Sequence, residues 1–252
     1  MKKLLAFFLA VLMIVGSIIS VTAFDDVSGK YADAINGLQG TGIVAGKSET
    51  EFAPDELVTR WQMALFMARA TSAITDDAAW NTGAALFTDC TQYLGAIQYC
   101  YTKGIIKGVT ATEFAPNANI TLRDGVIMAV RALGYEKADE GLSADAKKYN
   151  VTGATYWLPY YQTGSELGLL ENLETVAVTK ELTRAETAQL IYNMLYTPVY
   201  AKDGANANNY TLYDVAFSGK AIVDVENSKN AWVVETPNYF FGKEDTLKAD
   251  AE

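Results

Sequence analysis

The sequence predicts a mainly α-helical fold made of three similar helix-loop-helix units, followed by a small β-rich segment. The pentapeptide TEFAP occurs at 50–54 and again at 112–116. A threonine that opens an apolar, helix-like stretch recurs with the same spacing at Thr59, Thr121 and Thr183. Self-similarity at a fixed period is typical of units that bury their apolar faces against one another.

Residues 1–23 are interpreted as a secretory signal peptide. Two lysines at 2–3 precede an apolar run at 4–15, and small residues at 21–23 provide a cleavage site. An uncleaved membrane anchor is the alternative, but glycine and serine residues at 16–20 interrupt the apolar run and favour cleavage. We therefore expect an exported protein without a membrane attachment after cleavage.

The three units are predicted at residues 24–73, 87–135 and 156–199. In the first helix of a unit, apolar residues recur three, four and seven positions apart, as one face of a helix requires. The first unit shows this with Tyr31, Ala34, Ile35 and Leu38. The second helix of each unit begins at the repeated threonine. Two short helices cannot bury such stripes alone, so the units are expected to bundle.

Residues 200–252 differ in character from the rest of the chain. Residues with high β-propensity at 210–217, 221–225 and 231–235 alternate with turn residues. We expect a β-rich appendage or the truncated start of a further domain.

Composition excludes several kinds of site. The chain has 252 residues, no histidine and a net charge of −10. Catalysis by Ser-His-Asp or Cys-His groups and most zinc sites are therefore excluded, and nucleic-acid binding is disfavoured because it depends on cations. We expect no cofactor and no metal. Cys90 and Cys100 could pair in an exported protein, but the alignment of the units places both at apolar positions, which favours buried free thiols.

The starts of the second helices carry a capping signal. A threonine followed three residues later by Gln or Glu forms a capping box, in which each side chain bonds the other residue's backbone N–H. Aspartate is shorter and completes the box less well. The pairs are Thr59 with Gln62, Thr121 with Asp124 and Thr183 with Glu186.

Capping does not explain Arg60 and Arg184, which follow the threonine at the first helical position. A cation there is disfavoured by up to about 1 kcal/mol, because the helix start is already positive. An anion would reverse this, since the guanidinium and the free N–H groups would bind it together. The alternative is a solvated arginine, or one paired with Asp55 or Glu56. The residues alone leave both interpretations open.

The combined pattern resembles the S-layer homology (SLH) domain family. Over residues 24–199 the chain carries F-x-D-V-like starts, G-I-(I/V)-x-G middles, F-x-P steps and T-R-A-E-like helix starts. The resemblance implies a pseudo-threefold helical spindle that binds secondary cell-wall polysaccharide, often through pyruvylated sugars, in grooves between repeats. It also implies a secreted protein, anchored non-covalently to the cell wall or S-layer of a Gram-positive bacterium.

The resemblance implies a set of ligand-binding residues. Arg60 and Arg184 would bind the ligand's carboxylate, and Trp157 would offer a face for sugar stacking. The residues expected beside the two arginines are Thr59, Thr183, Gln62 and Glu186.

The second unit departs from the family pattern. Leu122 stands where arginine is expected, and Arg123 and Asp124 follow. One position turns a side chain by about 100° on a helix, so this groove either binds differently or does not bind.

Two other functions remain as alternatives. A structural subunit of a surface lattice would self-associate through residues 200–252. A glycoside hydrolase would need two paired carboxylates, and the sequence shows no recognisable pair. We therefore expect an anchoring protein and not an enzyme.

Overall fold

The computed structural model describes residues 24–74, 80, 85–135, 155–200 and 210–217. The predicted signal peptide and most of the predicted β-rich segment lie outside the described residues. No described helix is both long enough and apolar enough to cross a lipid bilayer.

The described residues form α-helices and isolated β-bridges, with a short 3-10 turn at Gly29–Tyr31. The prediction of a mainly α fold is confirmed for this part of the chain. The helices are α1 (Ala32–Gly40), α2 (Arg60–Ser72), α3 (Leu94–Thr102), α4 (Leu122–Ala132), α5 (Leu158–Glu166), α6 (Arg184–Leu195) and α7 (Leu212–Ala216).

The three longer helices form the centre of the molecule. Helices α2, α4 and α6 pack against one another, and each also packs against one helix of nine residues. Helix α3 packs on α2, α5 packs on α4, and α1 packs on α6. Because α1 packs on the last of the three central helices, the arrangement closes on itself.

Burial explains the composition of the central helices. In α2, every residue from Met63 to Ala68 is buried, which covers all sides of the helix. A helix that is apolar all round belongs in a core rather than at a surface. Met63, Met67, Leu190 and Ile191 are fully inaccessible to solvent.

A closed ring of backbone hydrogen bonds joins the segments that precede the central helices. The N–H of Val58 donates to the Leu182 carbonyl at 3.0 Å, and the N–H of Leu182 donates to the Ile120 carbonyl at 2.8 Å. The N–H of Ile120 completes the ring by donating to the Val58 carbonyl at 2.8 Å. All three side chains are buried, so the ring fixes the starts of α2, α4 and α6 close together.

The shorter helices end at glycines that need a left-handed backbone. Gly42, Gly104 and Gly168 have φ of +75°, +76° and +80°. The residue after each glycine bonds back to the helix, as the N–H of Ile105 does to the Cys100 carbonyl at 2.8 Å. This is a common helix ending, and it explains the glycine of the repeated G-I motif.

The prediction of β-structure at 210–217 is wrong. Residues Leu212–Ala216 form α7, with Thr211 as its cap: the Asp214 N–H donates to Thr211 Oγ1 at 3.1 Å. Leu212, Val215 and Ala216 are buried, a spacing of three and four that suits a helix. The local cap and this spacing outweigh β-propensity. The stretches at 221–225 and 231–235 lie outside the described residues.

Both cysteines are buried free thiols, the alternative that the alignment favoured. The Cys100 thiol donates to the Ala64 carbonyl at 3.3 Å. Burial raises the pKa of both thiols, that of Cys90 to about 11, with Asp89 adding to the effect there. Thiols of this kind are unreactive at neutral pH.

Candidate functional site

Arg60 clamps the start of α2 to a neighbouring segment. Its Nε donates to the Phe114 carbonyl at 2.9 Å, and its Nη2 donates to the Lys107 carbonyl at 3.2 Å. The guanidinium also lies over the Phe114 ring, 4.7 Å from its centroid. Both hydrogen-bond acceptors are neutral, so the contacts orient the guanidinium without cancelling its charge.

Arg184 makes the same clamp at the start of α6. Its Nε donates to the Phe52 carbonyl at 2.8 Å and its Nη2 to the Ala45 carbonyl at 2.9 Å. The guanidinium lies 4.4 Å from the centroid of the Phe52 ring. Only 7% of Arg184 is exposed. The Arg184 guanidinium donates its hydrogen bonds to backbone carbonyls, so the geometry does not favour the alternative of an ion pair with Asp55 or Glu56.

The first N–H groups of the central helices are not free, contrary to expectation. The N–H of Arg60 donates to the Ala118 carbonyl at 2.9 Å, and the N–H of Trp61 donates to the Pro116 carbonyl at 3.1 Å. At α6, the N–H of Arg184 donates to the Glu56 carbonyl at 2.7 Å. Neighbouring loops occupy these donors, so an anion at either arginine would have to be bound by side chains.

The predicted capping residues act as caps. Capping boxes are present at Thr59 with Gln62 and at Thr183 with Glu186, whose carboxylate also contacts Lys180. At Thr121 the hydroxyl accepts from the Asp124 N–H at 3.3 Å and donates to Asp124 Oδ2 at 2.9 Å. These contacts account for the polar residues at the helix starts, and their role in ligand binding stays a prediction.

The F-x-D and F-x-P motifs occur together because the aspartate of the first motif accepts hydrogen bonds from the backbone of the second. The Asp89 carboxylate accepts from the N–H groups of Phe114 and Ala115, at 2.9 and 2.7 Å. The bond from Phe114 lowers the pKa of Asp89, burial opposes this, and the bond from Ala115 lowers it further. Ala115 has φ of +56°, which the carboxylate helps to hold. Asp26 makes the equivalent contacts with Phe52 and Ala53.

A groove of about 780 Å³ lies between α4, the start of α5 and the loop at 106–109, with Arg60 at one side. We call it the cationic groove, because four cationic side chains line it. Among the described lining residues, Asp124 supplies the one carboxylate. The four cations are Arg60, Lys107, Arg123 and Arg131. The local charge is therefore opposite in sign to the net charge of −10 of the whole chain.

Arg123, which stands one position after the expected arginine position in the second unit, lies in this groove together with Arg60. Leu122 is buried in the core, and the next position turns Arg123 outward, with its side chain 32% exposed. Arg123 Nε lies 3.1 Å from Asp124 Oδ1. Burial lowers the pKa of Arg60, and nearby Asp124 opposes this effect.

Aromatic rings lie beside two of the cations. The guanidinium of Arg123 is 6.0 Å from the centroid of Tyr156, and that of Arg131 is 5.2 Å from the centroid of Tyr160. Tyr156 is 44% exposed and lines the groove. Trp157, the predicted stacking residue, packs edge-on against Tyr161, with ring centroids 5.9 Å apart, and its role in sugar stacking stays a prediction.

Sequence reasoning therefore missed the tyrosines and two of the cations of this groove. Arg131 lies eight positions after Arg123 on α4, which places both on the same face of the helix. That spacing could have identified Arg131. Lys107 occupies the variable position of the second G-I-(I/V)-x-G motif, and Tyr156 lies just before α5, so no motif residue marks either of them.

Two segments of the chain, 23–64 and 88–124, match the S-layer homology domain family. The matched segments fall in the first and second predicted units.

The similar proteins include one enzyme and two proteins named for the cell wall or surface layer. An endoglucanase of Bacillus sp. (strain KSM-635) is 30% identical over 61% of this chain and 16% of its own length. The middle cell wall protein of Brevibacillus brevis is 29% identical over 43% of this chain and 10% of its length. The surface-layer 125 kDa protein of Lysinibacillus sphaericus is 27% identical over 56% of this chain and 12% of its length.

The chain spans about a sixth or less of the length of these relatives. The enzyme and the two surface proteins each contain a segment that is similar to part of this chain. Together with the family match, these relatives from Gram-positive bacteria support a secreted location in the cell wall or surface layer.

Proposed function

We propose that this chain anchors an exported protein non-covalently to the bacterial cell wall, by binding an anionic wall glycan in the cationic groove. The observation that carries the proposal is the convergence of four cationic side chains in an open groove of an acidic chain. An overall negative charge repels anions, so an anionic ligand requires such a local concentration of positive charge.

The chemistry of the groove fits a sugar that carries a carboxylate. Arginine binds carboxylates through two parallel N–H bonds, and Arg123 in the groove already pairs with one carboxylate, that of Asp124. Tyr156 presents an exposed ring next to this arginine. A pyruvylated sugar, which the resemblance implies, would place its acid on the arginines and its ring against the tyrosine.

We assign the fold to three SLH units at 24–73, 87–135 and 156–199 that form a pseudo-threefold spindle. Three features support this assignment: the closed ring of hydrogen bonds, the three left-handed glycines and the cyclic packing of the shorter helices on the central ones. The family match supports the first two units. The signal peptide at 1–23 and the segment at 200–252 stay predictions from sequence.

Arg123→Gln tests the groove in the full chain. Arg123 makes no inter-unit clamp of the Arg60 kind, so this change removes a groove charge while helicity and the urea midpoint stay at wild-type values. We expect sedimentation with purified Gram-positive cell wall to weaken about tenfold or more, equivalent to ~1.4 kcal/mol. Wild-type binding should also fall when mild acid removes the pyruvyl ketals from the wall, and when the salt concentration is raised.

Lys47→Gln is the control, because it removes one exposed positive charge outside the groove. It should bind the wall like the wild type. Two outcomes would contradict the proposal: wild-type binding by Arg123→Gln, or equal binding to walls with and without ketals. Sheets or oligomers that form without wall would instead favour a lattice subunit.

A further inference from the structure

A second pocket lies at the α2 start and has a different chemistry. It has a volume of about 130 Å³, which is a few times the ~30 Å³ that one water molecule occupies. We call it the Trp61 pocket; it is lined by Trp61, Asp89, Thr91, Gln92, Pro116 and Asn117. Asp89 supplies the charge of this lining, and no cationic side chain is among these described residues. An acidic ligand is therefore disfavoured here.

The indole that forms part of the wall is held in one orientation. Trp61 stacks on Tyr93, with ring centroids 4.0 Å apart and planes 6° apart. Tyr93 has φ of +53°, a conformation that bulky residues seldom adopt and that persists only where the surroundings enforce it. One face of the indole is thus covered, and the part that lines the pocket is held in place before a ligand binds.

The polar groups of the pocket suit hydroxyl groups. Both oxygens of Asp89 accept backbone N–H bonds, which fix the carboxylate in place and lower its pKa, so it stays a charged acceptor. The amides of Gln92 and Asn117 each offer donors and acceptors, and Thr91 adds a hydroxyl. An aromatic surface beside a fixed acceptor and two amides complements the ring and hydroxyls of an uncharged sugar.

The pocket and the cationic groove share one helix tip. Trp61 directly follows Arg60 on α2, and consecutive helical positions are about 1.5 Å and 100° apart. One unbranched glycan could therefore contact both sites. Arg123 and Ala185 occupy the positions equivalent to Trp61 after Thr121 and Thr183, so the other two units lack this indole.

We propose that the Trp61 pocket binds an uncharged sugar unit of the same glycan whose acidic unit binds in the cationic groove. This inference rests on the proposed function. The ligand class that it names is an oligosaccharide in which a carboxylated sugar is joined to a neutral one.

The double variant Gln92→Ala/Asn117→Ala tests the pocket in the full chain, because both residues are exposed and their loss should leave the fold intact. The probes are a pyruvylated methyl hexoside and wall oligosaccharides that contain pyruvylated and neutral units. By calorimetry, we expect about fivefold to tenfold weaker binding of the oligosaccharide and unchanged binding of the monosaccharide. Arg123→Gln should weaken binding of both probes. Asp55→Ala, at the position of the first unit that corresponds to Asn117, is the control.

The two probes separate failure of this inference from failure of the proposed function. If the double variant binds the oligosaccharide as the wild type does, the pocket assignment is overturned and the groove stands. If the wild type binds neither probe, both are overturned. Trp61→Phe provides a second readout: tryptophan emission should change when the wild type binds the oligosaccharide, and this change should be lost in the variant.

Discussion

The interfaces that contain Arg60 and Arg184 show the same clamp in two different electrostatic settings. Both arginines donate to a phenylalanine carbonyl and lie over that phenylalanine's ring. At Arg184, burial lowers the pKa and the nearby carboxylates of Glu56 and Asp26 oppose this. Arg60 likewise has two carboxylates nearby, those of Asp124 and Asp89, but it borders the cationic groove, where three further cations line the wall. The T-R-A-E-like motif therefore explains the clamp, and residues outside the motif set the charge that surrounds each guanidinium.

The start of α4 shows that the backbone contacts do not require an arginine. Leu122 occupies the clamp position and is fully buried. Its N–H still donates to the Lys180 carbonyl at 3.0 Å, and the Arg123 N–H donates to the Val178 carbonyl at 2.9 Å. The repeated backbone geometry thus survives when the side chain changes, and the guanidinium is an addition to it.

The largest expected effect is a difference in stability between the Arg184→Ala and Arg60→Ala variants. Arg184→Ala removes the donors of the Phe52 and Ala45 carbonyls at a buried position, so we expect a loss of about 2–4 kcal/mol in the free energy of unfolding. Arg60→Ala should cost about 1–2 kcal/mol, because Arg60 is only half-buried and water can replace some of its contacts. Urea denaturation followed by circular dichroism measures both.

The effects of the two substitutions on wall binding should be in the reverse order of their effects on stability. At a temperature where both variants are folded, Arg60→Ala should bind the wall weakly and Arg184→Ala should bind it like the wild type. The comparison would fail if the two substitutions had equal effects on stability and on binding, since the arginines would then have the same role.

A second pair of variants compares Gly46 and Gly108, the last residues of the G-I-(I/V)-x-G motifs of the first and second units. A Cβ on Gly46 would lie 2.7 Å from the Glu51 carbonyl oxygen, and a Cβ on Gly108 would lie 2.7 Å from that of Glu113. Both substitutions to alanine therefore force the loop backbone to move, at a cost of about 1–3 kcal/mol. Only Gly108 lines the cationic groove, so only Gly108→Ala should also weaken wall binding.

Gly40→Ala is the control for this pair, because a Cβ at that position meets no atom within 4 Å. Its thermal midpoint should be equal to or above that of the wild type. A Gly46→Ala protein that unfolds like the wild type would show that the loop can yield, and the steric argument would then be wrong for both interfaces.

Much of the helical fold could be predicted because its signals are local. The capping boxes and the left-handed glycines depend on residues a few positions apart, and the repeated TEFAP pentapeptide shows that they recur. Residues 210–217 were mispredicted for a related reason: their β-propensity is a weak preference, and the cap formed by Thr211 and Asp214 outweighs it.

The candidate site could be predicted only in part, because it is assembled from distant segments. Arg60 and Arg123 were visible at helix starts, but their meeting in one groove depends on the packing of α2 beside α4. Tyr156 enters from a third segment, and no spacing in the sequence connects it with Arg60. The premise of free N–H groups was wrong for the same reason, since the carbonyls that occupy them belong to neighbouring loops.

The smallest expected effect comes from adding, near Arg60, a carboxylate at the position that corresponds to Glu56 near Arg184. Glu56 accepts the Arg184 N–H through its carbonyl, and Ala118, at the corresponding position of the second unit, accepts the Arg60 N–H in the same way. Ala118→Glu therefore adds a further carboxylate near Arg60, at the position that corresponds to Glu56 near Arg184. We expect about threefold to tenfold weaker wall binding, because an exposed charge beside the groove repels an anionic ligand.

The stability of Ala118→Glu should stay within about 0.5 kcal/mol of the wild type, because the position is exposed. Ala118→Gln has nearly the same size without the charge and should bind like the wild type. Raising the salt concentration should shrink the difference between the two variants, since exposed charges are screened over about 10 Å at 0.1 M. If both variants weakened binding equally at every salt concentration, bulk rather than charge would be responsible, and the electrostatic contrast between Arg60 and Arg184 would not explain which arginine meets the ligand.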